Sequence, residues 1–125
     1  MKKSLTPLGE TEMEILHHVW DMEEATVAAV QERILEERKV AYTTVMTIMK
    51  NLYEKGYLQF RKEGVTYVYS AAQKPEKVQS SLIGKLVDKV FKGSPSALIQ
   101  TLVQNENLTD EERSEIKKLI EKLED

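Results

Sequence analysis

Apolar residues recur along this chain with two different periods, and the order of those periods outlines a fold. Leu8, Ile15, Leu16, Val19 and Trp20 repeat at helical spacing and place a first helix from about Glu10 to Asp21, behind Gly9 as N-cap. Thr26 can cap a second helix with the stripe Val27, Val30, Ile34 and Leu35, followed by the polar link Glu37-Arg38-Lys39. Within residues 41–56 a third stripe, Val45, Ile48, Met49 and Leu52, has the spacing i, i+3, i+4, i+7, and Gly56 stands where a helix ends in the left-handed conformation. From Tyr57 the period becomes two. Leu58 and Phe60 alternate with Gln59 and Arg61, then Val65, Tyr67 and Tyr69 with Thr66, Val68 and Ser70, and the turn signal Glu63-Gly64 makes this a two-stranded hairpin.

Beyond Pro75 the helical period returns. Val78, Leu82, Leu86, Val90 and Phe91 mark a long helix ending at Gly93, and Ser94-Pro95 opens another that carries Leu98, Ile99, Leu102 and Val103. A last helix starts at the capping box Thr109-Asp110-Glu111-Glu112 and carries Ile116, Leu119, Ile120 and Leu123. Three helices then a hairpin in the first 72 residues is the order of a winged helix-turn-helix. The expected fold is therefore mainly α with a small β-hairpin: a winged domain over 1–72 and a three-helix region over 73–125. Three amphipathic helices in about 50 residues cannot enclose their own stripes. A homodimer is expected, joined through Val78, Leu82, Leu86, Val90, Leu98, Leu102, Ile116, Leu119, Ile120 and Leu123; the alternative is a monomer in which these faces fold back on residues 1–72.

Composition narrows the function classes. At 125 residues there is room for one compact domain, or a small domain with an appendage that a partner completes. No window approaches the roughly 18 apolar residues of a membrane helix. Met1-Lys2-Lys3 leads into polar Ser4 and Thr6 rather than an apolar signal core, so a cytoplasmic protein without membrane insertion is expected. The absence of cysteine excludes disulfides, thiolate metal sites and a cysteine nucleophile. His17 and His18 are adjacent, so they cannot form an i, i+4 metal pair, and Glu10, Glu12 and Glu14 have no catalytic companion. No glycine-rich phosphate loop is present. Neither an enzyme nor a cofactor is expected.

The net charge of -3 hides an uneven distribution. Glu10, Glu12, Glu14, Asp21, Glu23 and Glu24 form a segment with no Lys or Arg, expected to face away from any polyanion. Arg38, Lys39, Lys50, Lys55, Arg61 and Lys62 follow, with Glu54 alone opposing them. On a wheel of the third helix, Thr43, Thr47, Lys50 and Glu54 lie opposite the apolar stripe, flanked by Met46 and Asn51. A recognition helix reads bases with its N-terminal residues. Thr43, Thr44 and Thr47 therefore hold the reading positions, Tyr42 and Met46 can add apolar contacts, and Lys39, Lys50, Lys55, Arg61 and Lys62 are the expected phosphate contacts on double-stranded DNA. The same charges could be solvated helix faces. The same module could also bind a protein, without specific DNA binding.

Four segments, in order, resemble the penicillinase repressor family, the BlaI and MecI type of bacterial transcriptional regulators: LGETEMEILHHVW from Leu8, TTVMTIMKNLYEKG ending at Gly56, FRKEGVTYVYS, and VDKVFKG followed by ENLTDEE. The resemblance covers nearly the whole chain. It implies a homodimer, joined through its C-terminal helices, that represses transcription from a dyad-symmetric operator. It also implies relief by a membrane-bound sensor metalloprotease that cuts the dimerisation region. Where that family has an Asn-Phe cleavage pair this chain has Thr101-Leu102, and bases often seen on the family's reading face are replaced by Thr43 and Met46. A copper-responsive branch uses C-terminal cysteines, which are absent here.

Overall fold

The computed structural model describes residues 8–105 and 107–123. Along the chain run α1 (Glu10–Met22), β1 (Glu24–Ala25), α2 (Val27–Leu35), α3 (Tyr42–Glu54), β2 (Leu58–Glu63), β3 (Thr66–Ala71), α4 (Pro75–Val90), α5 (Pro95–Gln104) and α6 (Asp110–Leu123). The expected mainly helical winged architecture is present, and the chain divides into two compact units between Ile83 and Gly84.

The first unit closes around stripes that the helical period places on facing surfaces. Ile15, Leu16 and Val19 of α1, Val27, Val30 and Ile34 of α2, and Val45, Met49 and Leu52 of α3 are buried together with Leu8, Leu58 and Tyr69. Thr26 caps α2 by accepting the Ala29 N–H at 3.1 Å. Leu35, expected in this core, is exposed, because Val27, Val30 and Ile34 already complete the buried face of a nine-residue helix.

The sheet has one strand more than expected. Glu23 adopts φ 66° after α1, and the next two residues pair with β3, giving the antiparallel order β1-β3-β2. Two residues of a strand carry no readable alternation. The β2–β3 register runs as far as Glu63 opposite Thr66, so the loop is Gly64-Val65, one residue later than the sequence pattern indicated. Gly64 takes φ +63° at the first loop position, the conformation a two-residue hairpin favours there, and Val65 is 98% exposed at the tip instead of opening β3.

Val78 of α4, expected to meet a second chain, is 1% exposed within the first unit's core, and Leu82 packs against that core. A side chain so enclosed has no surface to offer a partner. The division between units accordingly lies beyond residue 72, where the sequence pattern had placed it.

In the second unit the helix ends follow the local signals. Gly93 takes φ +82° and donates to the Val87 carbonyl at 3.0 Å, ending the α4 stretch. Ser94 accepts the Ala97 N–H ahead of Pro95. Thr109 and Glu112 exchange two bonds of 3.1 Å, the reciprocal capping box. Arg113 of α6 donates to the carbonyls of Val103 and Asn105, joining α6 to the C-terminal end of α5 where a cation is favoured. From Gly84 onward Val87 is the one buried apolar side chain among the described residues. Leu86, Leu98 and Ile116 are half-buried, whereas Val90, Ile99, Leu102, Ile120 and Leu119, the last at 61%, are exposed. The side chain of Leu123 lies outside the described residues.

Candidate nucleic-acid interface

α3 is held at both ends. The Gln31 side chain donates to the Val40 carbonyl at 3.1 Å, fixing the α2–α3 turn. At the other end Gly56, at φ +88°, lets Tyr57 N–H reach the Leu52 carbonyl at 2.9 Å, and Gln73 caps the Gly56 carbonyl. With Val45, Met49 and Leu52 buried and Ile48 half-buried, the opposite face exposes Tyr42, Thr43, Thr44, Met46, Thr47 and Lys50. These are the residues the sequence assigned to reading and contacting DNA, and they lie side by side.

The bases separate into two groups, which the sequence did not distinguish. Arg38 makes a two-pronged contact with Glu14, both bonds 2.6 Å, and Lys55 donates to both oxygens of Glu12 at 3.0 and 2.8 Å. Glu12 also accepts the Gly9 N–H, so this carboxylate joins the start of α1 to the end of α3. Arg61 is held by Glu24 and by Glu63, the latter at 2.7 Å. Acids expected to face away from the interface therefore engage its bases. Lys39, Lys50 and Lys62 are exposed and form no ion pair among the described residues.

Strand alternation explains why the neighbours Arg61 and Lys62 diverge. Phe60 opposes Tyr69 and Lys62 opposes Tyr67, so these four share the wing face that carries core residue Leu58. Arg61 opposes Val68 on the other face, shared with Gln59, Ser70 and Glu24. Lys62 sits 5.2 Å over the Tyr67 ring.

Between α3 and the wing lies a groove of about 1020 Å³, lined by Tyr42, Met46, Thr47, Lys50 and Tyr53 on one side and Phe60, Tyr67 and Tyr69 on the other. Phe60 is its hub, with ring centres 4.8 Å from Tyr53, 4.7 Å from Tyr67 and 5.7 Å from Tyr69. Burial, helped by the nearby Tyr67 and Tyr42 phenols, pushes the Tyr69 hydroxyl up, keeping it neutral. Sequence reasoning placed Phe60 and Tyr67 at alternating positions of the hairpin without a further role, and gave Tyr53 none. The usable signal was the excess of aromatics on a two-stranded wing too small to bury them.

The ion pairs have a pH signature. Burial pushes the Glu12 carboxyl up, but the Gly9 N–H and Lys55 outweigh it and hold the group below the usual 4.5. The Arg38 fork, against burial and with a small aid from His18, holds Glu14 down as well. Carboxyls depressed by folding stabilise the protein fully above their unfolded value and lose that contribution as pH falls through the folded one. The melting temperature is therefore expected to stay level with respect to these groups from pH 7 to 5 and to fall below 4.5, the fall shrinking in Glu12→Gln. An equal acid-side fall in that variant would remove Glu12 from the account. The contribution is modest, since exposed pairs are worth about 0.2–1 kcal/mol.

Among the described residues no side-chain cluster could hold a metal ion and no helix is long and apolar enough to cross a membrane. His17 stands edge-on to Trp20 at 5.2 Å, with no ligand arrangement around it.

Comparison with known proteins agrees with this geometry. The methicillin resistance regulatory protein MecI of Mammaliicoccus sciuri is 23% identical over 115 residues, covering 92% of this chain and 94% of its own length. The transcriptional regulator BlaI of Mycobacterium tuberculosis is 31% identical over 102 residues, covering 80% and 74%. The solution structure of the DNA-binding domain of the repressor BlaI superposes with a TM-score of 0.51 at 22% identity, over 59% of this chain and 90% of that domain, which supports the winged fold. The penicillinase repressor model matches residues 8–122, and the chain belongs to that family of transcriptional repressors.

Proposed function

We propose that this protein represses transcription as a homodimer on a dyad-symmetric duplex operator, with α3 in the major groove. The observation that carries this reading is the exposed, threonine-led face of α3 accompanied by three lysines that form no ion pair among the described residues. Thr43, Thr44 and Thr47 read base edges, each with a hydroxyl that donates or accepts and a methyl that can meet thymine. Tyr42 and Met46 add apolar contacts. Lys39, Lys50 and Lys62 take the phosphates, while Lys55 and Arg61 act chiefly by holding α3 and the wing in place through their carboxylate partners.

The second unit supplies the dimer contact through the exposed apolar residues of α4 beyond Ile83, α5 and α6. Relief by a sensor metalloprotease would act here. Thr101 and Leu102 are exposed but lie within α5, with Thr101 bonded to the Ala97 carbonyl at 2.9 Å, so cutting between them requires that end of α5 to unwind first. Action in the cytoplasm is part of this reading, as for a repressor that meets chromosomal DNA.

A salt titration tests the reading. Each neutralised phosphate contributes about 0.9 to the log-log slope, so three lysines per subunit predict a slope near about 5 for a dimer, against about 9 if Lys55 and Arg61 joined them. Binding is measured with a duplex from the promoter of the protein's own operon and with random duplex. Lys62→Ala is expected to lower the slope by about 2, one cation lost per subunit, and Arg61→Ala to leave it nearly unchanged. Absence of salt-dependent binding to either duplex would remove DNA as the partner.

A further inference from the structure

We infer that the aromatic groove between α3 and the wing seats one sugar-phosphate strand of the operator, with Tyr53 and Tyr67 as uncharged backbone contacts. This rests on the DNA-binding reading above and assigns a site within it.

The groove is continuous with the reading face: Met46, Thr47 and Lys50 line it from α3. A helix lying in a major groove about 12 Å wide has a phosphate strand along each side. On the wing side that strand must pass between α3 and β2–β3, which is where the rings stand. Charge on this side is sparse. Alternation turns Arg61 to the far face, where Glu24 holds it, leaving Lys62 as the wing's inward cation.

The groove offers a different chemistry. Phe60 is 37%, Tyr67 41% and Tyr53 45% exposed, an apolar surface of a kind that calls for cover. Neither the Tyr53 nor the Tyr67 hydroxyl has a hydrogen-bond partner among the described residues. Ring faces suit deoxyribose, and phenolic hydroxyls donate to phosphate oxygens without releasing a counterion. Glu54 also lines the groove and would repel a phosphate, which places the strand toward Lys50 and Tyr67.

The counterion argument separates this from ordinary basic contact. Anisotropy titrations of the full chain, on the promoter duplex and on random duplex across a salt series, would compare wild type with Tyr53→Phe, Tyr67→Phe and Lys50→Ala. The tyrosine changes keep the ring contacts with Phe60 and so keep the wing packed. Each is expected to weaken binding to both duplexes by about tenfold per subunit, about a hundredfold for the dimer, as for loss of a hydrogen bond to a charged group, with the salt slope unchanged. Lys50→Ala is expected to lower the slope by about 2. Wild-type affinity in both tyrosine variants would overturn the assignment and leave the groove to a small apolar ligand or a second protein, with the repressor reading intact. A reduced slope in those variants would also overturn it, since the loss would then be one of charge. Failure of the wild type to bind either duplex would overturn this inference together with the DNA-binding reading.

Discussion

A fragment ending at residue 90 is expected to remain folded yet to bind a dyad operator about 10²- to 10⁴-fold more weakly than the full chain. The first unit has a closed core made by residues from Leu8 to Val78, none of it, among the described residues, drawn from beyond Ile83. What the fragment loses is the set of exposed apolar residues on α5 and α6, which we propose join two subunits. Linking two reading units makes the second half-site contact intramolecular, and a lone unit forfeits that gain without losing a single base contact. Equilibrium sedimentation and operator titration of the same fragment check the point. A fragment that remains dimeric, or retains full affinity as a monomer, would place dimerisation or operator symmetry elsewhere.

Shortening that fragment further, to residue 72, is expected to cost about 2–4 kcal/mol of unfolding free energy, from removal of fully enclosed Val78 and partly enclosed Leu82. For a unit of this size each kcal/mol shifts the melting temperature by about 4–8 °C, so the difference is large in a thermal scan. Val78→Ala in the full chain separates the cavity from the truncation. It should reproduce part of the loss, and equal stability of the two fragments would exclude the start of α4 from the first unit's core. The consequence is practical: a winged unit cut after its hairpin is a poor object on which to measure DNA binding.

The helices were legible because each carries its own explanation. The i, i+3, i+4 stripe of α3 and the box from Thr109 to Glu112 involve residues within two turns of each other, and the structure follows both closely. The exposed face of α3 was legible for the same reason, being whatever α3 does not bury. Legibility ended where partners are distant. Lys55 and Glu12 are 43 residues apart, and no local pattern announces that one neutralises the other. Likewise Arg61 and Lys62 read as a pair of phosphate ligands until strand register sends them to opposite faces. The stripe of α4 was read as one surface, yet its first turns complete one core and its later residues belong to another unit. Periodicity says which side chains share a face, and packing decides what that face meets.

The bases held by the protein's own acids also bear on how an operator is found. A genome offers roughly 10⁶ or more arbitrary sites, and the attraction to them is almost wholly electrostatic. With Arg38, Lys55 and Arg61 engaged by Glu14, Glu12, Glu24 and Glu63, the proposed reading side is expected to adhere only lightly to arbitrary duplex. Such a molecule spends more of its time in free solution and reaches its target by short visits and fresh collisions rather than by long slides. Fewer copies would then be absorbed by the chromosome at large, and a small pool of repressor would be enough to keep the proposed operator occupied.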